Sequence, residues 1–114
     1  MKIVTVLLLI LFALPLFAAA QTTHSVTLAW TDALNPAGTT YSVYRAVGLC
    51  SGSPTFSKIA SALAVKTFQD TTVTAGNYCY AVSATASGME SAQSNTALAP
   101  VPSFAPQGLS VTVQ

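Results

Sequence analysis

From Ser25 to Ala86 apolar side chains recur at every second position, and turn-forming residues break the pattern at short intervals. This period of two limits the fold more than any other feature, because successive side chains of a strand point to opposite faces. Ser25–Thr31 (SVTLAWT) puts Val26, Leu28 and Trp30 on one face. Asp32–Thr39 (DALNPAGT) is a loop built on Asn35-Pro36 and Gly38. Thr40–Val47 (TYSVYRAV) turns Tyr41 and Val43 inward and Tyr44 outward. A second loop covers Gly48–Thr55, with Gly48, Gly52 and Pro54. Phe56–Ala60 is a short strand, and Ser61–Val65 a turn or weak helical stretch. Lys66–Val73 carries Phe68 inward, and Thr74–Asn77 is a tight connection. Tyr78–Ala86 (YCYAVSATA) aligns Tyr78, Tyr80, Val82 and Ala84. Ser87-Gly88 turns the chain into a polar edge strand at Ser91–Ala99. Six short strands with no sustained helical stripe predict an all-β sandwich or small barrel.

The segment ahead of this pattern is different. Residues 3–20 contain sixteen apolar residues out of eighteen, with Lys2 in front and Ala18 and Ala20 in the small-residue positions of a cleavage site. This is the pattern of a secretory signal peptide. The alternative is an uncleaved anchor, but the apolar core falls short of the ~20 residues that span a bilayer. Residues 1–20 are therefore expected to be removed, leaving the product secreted, periplasmic or at the cell surface.

Removing that segment changes the composition. The whole chain is 52% hydrophobic, whereas 42 of the 94 residues from 21 onward are apolar, an ordinary share for a globular domain. Charge stays scarce: Arg45, Lys58 and Lys66 balance Asp32, Asp70 and Glu90, for a net charge of zero. Ser and Thr supply 26 of those 94 residues. Such a surface suits strands, steers no charged partner, and has no basic stripe for nucleic acid. No membrane association is expected once the signal is cleaved.

Two cysteines, Cys50 and Cys79, remain in an exported chain, which reads as one disulfide. Two separate thiols are the alternative. A structural zinc needs four ligands, and the only histidine is His24.

The series SVTLAWT, TYSVYR, FQDTTV, GNYCYAVSA and ESAQSNTA resembles a fibronectin type III domain, over about residues 24 to 99. The resemblance implies an immunoglobulin-like β-sandwich of fibronectin type III topology. One sheet would hold strands A, B and E, the other C′, C, F and G. Trp30, Tyr41, Val43, Tyr78, Tyr80 and Val82 would form the core signature, with Trp30 at its centre. Tyr78 falls at the family's tyrosine corner, where its hydroxyl bonds backbone at the E–F connection. Cys50 would lie just past strand C and Cys79 near the start of F. Their bridge would sit on the outer face of the sheet and pin the C–C′ loop.

Two departures stand out. Gln21–His24 is too short for the family's strand A, and the chain continues past strand G as APVPSFAPQGLSVTVQ. Pro100, Pro102 and Pro106 read as an extended linker. Leu109, Val111 and Val113 then alternate like strand A of a following domain. The expected organisation is thus a signal peptide at 1–20, a domain at 21–99, and a linker with an extra strand at 100–114. Three explanations fit the tail. It begins a further domain of an array; it folds back onto the vacant edge beside strand B; or it inserts into that edge on the next molecule, a head-to-tail self-association.

No catalytic constellation is present. His24 is the sole imidazole and lies near the expected new N-terminus. Asp32, Asp70 and Glu90 fall in separate loops and strands, and a small sandwich offers them no substrate cleft. Asp70 reads as a turn cap before Thr71-Thr72. There is no phosphate loop, dinucleotide fingerprint or calcium loop. The sequence therefore predicts no enzyme, cofactor or metal. It predicts an exported structural spacer or member of a surface array. The alternative is a recognition module that binds a polysaccharide or protein through the B–C and F–G loops at Leu34, Met89 and Glu90, with Tyr44 and Phe56 on the C′ side.

Overall fold

The structure, a computed structural model, describes residues 22–114. The expected signal peptide lies outside the described residues. Seven strands follow one another: β1 (His24–Ala29), β2 (Thr40–Val47), β3 (Ser57–Leu63), β4 (Thr67–Val73), β5 (Gly76–Ala86), β6 (Met89–Glu90) and β7 (Ala97–Val101). They form two antiparallel sheets. One pairs β1 with β4; the other runs β3-β2-β5, with β6 and β7 both on β5. This is an all-β sandwich, as the alternation predicts.

Burial follows the period of two. Along β1, half-buried Val26 and Leu28 alternate with exposed Ser25, Thr27 and Ala29. Between the sheets, Val43, Val73, Tyr78, Tyr80 and Val101 form the core, backed by Val26, Leu28, Trp30, Phe68 and Val82. Trp30 stands one residue beyond β1 and is only half-buried, edge-on to Tyr41 with centroids 5.5 Å apart. The centre of the core is Val43 and Val73, both fully buried, instead of the indole. At the turn between β4 and β5 the Thr74 amide donates to the Tyr78 hydroxyl at 3.2 Å.

Cys50 and Cys79 form a disulfide, with Cα atoms 5.1 Å apart. Alternation sets Cys79 on the face of β5 opposite Tyr78 and Tyr80, so the bridge ties the loop after β2 to the outer side of the sheet.

Three stretches differ from expectation. Residues 61–63 extend β3 where a turn or helix was expected; a bulge accommodates them, with Ala62 at φ 54°. The edge strand expected at Ser91–Ala99 starts only at Ala97. Ahead of it, the Ser91 and Ser94 hydroxyls accept from the Ala84 and Val82 amides, each at 3.0 Å, while the Ser91 and Ser94 amides donate to the Ala84 and Val82 carbonyls at 2.8 and 2.7 Å, so each serine meets its β5 partner with one side-chain and one backbone bond. Finally, Pro100 and Val101 belong to β7 and not to a linker. A proline is tolerated there because an edge strand has one unpaired side.

Past Val101 no strand forms. Phe104 stacks on His24 with ring centroids 3.8 Å apart, so the chain leaves the sandwich where β1 enters it. Leu109, Val111 and Val113 are 94%, 81% and 88% exposed. The fold-back of the tail onto its own β1 is not formed.

Candidate functional site

The three carboxylates of the described chain are the first place to look for chemistry, and each is engaged by its own fold. Asp32 follows Trp30 into the loop between β1 and β2. It accepts from the Asn35 side-chain amide at 2.8 Å, the Leu34 and Asn35 backbone amides at 3.2 Å, and the Tyr41 hydroxyl at 3.0 Å. The Asn35 contacts dominate in holding its carboxyl down at about 2.

Asp70 is buried between the sheets. Its Oδ2 takes Arg45 Nη1 at 2.7 Å and the Tyr80 hydroxyl at 2.9 Å, while its Oδ1 takes the Thr72 hydroxyl at 2.7 Å and amide at 3.0 Å. Burial pushes this carboxyl up, but the Thr72, Arg45 and Tyr80 donors together outweigh it and keep the group below its ordinary value. Burial, then the bond to Asp70, pushes the Tyr80 hydroxyl up. The turn cap expected at Asp70 exists through Thr72. The link to Arg45 and Tyr80 was not foreseen, although alternation already places all three on inward positions of their strands.

Glu90 sits on β6 but turns onto the outer face of the larger sheet. It accepts from the Tyr44 hydroxyl and from Ser83 Oγ at 2.6 Å, with Lys58 Nζ at 3.5 Å. The Ser83 and Tyr44 bonds hold it below the ordinary glutamate value. Of the three loop candidates, Glu90 is thus tied down, whereas Leu34 and Met89 are 97% and 76% exposed. Tyr44 and Phe56 are half-buried. No group of three His, Cys, Asp or Glu side chains is arranged to hold a metal among the described residues.

An open trough of about 450 Å³ runs along one side of the sandwich. Trp30, Asp32, Tyr41, Val82, Ser91 and Asn95 are among its lining residues. It continues over Leu28, Tyr80 and Ala97. The trough exists because β1 has a paired neighbour only on the β4 side among the described residues. Trp30 Nε1 and His24 Nε2, at the two ends of β1, are buried without a hydrogen-bond partner. The sequence signalled this opening as a missing strand A, but not the trough it leaves.

No family model matches the chain, and no curated protein does. Among solved structures, the solution structure of the fourth FNIII domain of a human protein superimposes with a TM-score of 0.57, at 22% identity. The match covers 78% of this chain and 73% of that one. The domain therefore has a fibronectin type III-like fold, with strands B, C, C′, E, F and G corresponding to β1, β2, β3, β4, β5 and β7.

Proposed function

We propose that this chain is an exported, non-catalytic structural spacer, a passive unit of an extracellular or cell-surface array. One observation carries the reading. All six charged side chains of residues 22–114 bond within the domain: Arg45 with Asp70, Lys58 with Glu90, and Lys66 Nζ with the Asp32 carbonyl at 3.0 Å, while Asp32 holds its own loop. Asp32 lines the trough but is committed to Asn35 and Tyr41, so no unbonded charged side chain stands there to act as acid, base or charged anchor. The signal-like segment at residues 3–20 and the disulfide support export to an oxidising compartment.

The alternative is a recognition module binding a polysaccharide or a surface protein. Exposed Leu34 and Met89 favour it, although single apolar side chains are common on surfaces. A glycan array and a cell-surface binding assay with the full chain separate the two. The spacer reading expects no saturable binding. Saturable binding that Leu34→Ser or Met89→Ser abolishes would replace it with recognition through the loops.

A further inference from the structure

Among the described residues the sandwich has one open strand edge, and the tail has one alternating apolar segment outside any strand. The edge lies along β1, where Val26, Leu28 and Trp30 present half-buried side chains at a period of two beside the trough. The segment is Leu109–Val113, whose three apolar side chains share that period and are all exposed. We propose that the two belong together in different molecules: the tail of one copy adds as an edge strand to β1 of the next, head to tail. The claim rests on the structural-array reading and names its partner, a second copy of this chain.

Direction argues for a neighbour over the chain's own tail. Stacking of Phe104 on His24 releases the tail at the entry end of β1. From there it would run along its own β1 in the parallel sense, whereas all other ladders here are antiparallel. Antiparallel pairs are slightly more stable per residue. A tail arriving from another copy enters at the Trp30 end and runs antiparallel. Its backbone groups meet the open edge of β1 and pair with it. Its apolar face then closes the trough over Trp30 and Leu28. With zero net charge on residues 21–114, like-charge repulsion between copies is absent.

The contact is heterologous, so each copy gives one strand and receives one, and growth passes beyond the dimer. Because Trp30 is the only tryptophan, its emission reports filling of the trough. The experiment is analytical ultracentrifugation of the signal-cleaved chain over a wide concentration range, with Trp30 emission recorded on the same samples. The expected result is a mean mass that rises past the dimer together with a blue shift. Val111→Asp, at an exposed position of the isolated copy, should raise the concentration needed by more than about tenfold, while Val111→Ile should not. A monomer at every concentration overturns the proposal. So does a mass that stops at the dimer, an unaltered Val111→Asp protein, or a blue shift independent of concentration, which would place the tail on its own domain. A monomer that binds no glycan would sink the assembly and leave the spacer reading standing.

Discussion

Arg45 and Asp70 join the two sheets from inside, guanidinium to carboxylate at 2.7 Å. Arg45 comes from β2 and Asp70 from β4, and Tyr80 on β5 completes the group. The Arg45 side chain is 24% exposed and that of Asp70 3%. Removing the carboxylate strands a half-buried cation and three donors, the Tyr80 and Thr72 hydroxyls and the Thr72 amide, so Asp70→Ala should cost about 3 kcal/mol. Urea unfolding checks it. A loss under about 0.5 kcal/mol, the scale of an ordinary surface change, would mean that the sheets are held by apolar contact alone.

Acid should destabilise the domain through all three carboxylates. The folded state holds Asp32, Asp70 and Glu90 below their ordinary values. A lowered folded value contributes stability that is complete above the unfolded value, about 4. That contribution is lost as pH falls through the folded value, which for Asp32 is about 2. Urea midpoints measured between pH 7 and pH 2 should therefore drop below pH ~4.5. A midpoint unchanged down to pH 2 would contradict the carboxylate contacts described.

Breaking the Cys50–Cys79 bridge, which closes a sequence separation of 29, should cost about 3.5 kcal/mol by the chain-entropy relation. The comparison is oxidised protein against Cys50→Ser/Cys79→Ala in the same denaturant series. Equal midpoints would show that the bridge contributes nothing to the folded balance.

Two positions hold left-handed backbone without glycine: Ala62 at φ 54° and Ser87 at φ 50°. Ser87 and Gly88, the latter at φ 74°, form the two-residue turn between β5 and β6, where Ala86 pairs with Met89. Both central residues of that turn need positive φ. Ala62→Gly and Ser87→Asn should each raise stability by about 0.5–1 kcal/mol. Thermal melts of the two variants, singly and together, check the sign. A lower midpoint in either would argue against left-handed backbone at that residue.

Much of this fold was legible in the sequence because strand periodicity is a local property. Val43, Tyr78, Tyr80 and Thr40–Val47 could be placed from alternation alone. What alternation could not reveal depends on partners distant in sequence. Asp70 was readable as a turn cap through Thr72, two residues away, but its pairing with Arg45 required the sheets to be stacked. Ser91–Ala99 reads as a polar strand, yet at Ser91 and Ser94 the hydroxyls take the β5 amides and only the serine backbone amides reach the β5 carbonyls. Trp30 is one of the three parts that carry the resemblance, yet it is only half-buried, because among the described residues no strand pairs with that side of β1.

The meeting of His24 and Phe104 at one end also decides how the domain answers to tension. Pulled by the segments that flank it, β1 and β7 start to separate from the same end of the sandwich, so each peels bond by bond instead of shearing all at once. Peeling then reaches a covalent stop. β3 and β4 lie inside the loop closed by Cys50 and Cys79 and cannot be drawn out while the bridge is intact. The domain would give way at low force until only the segment between Cys50 and Cys79 stays closed, and single-molecule stretching with and without reductant measures that limit directly.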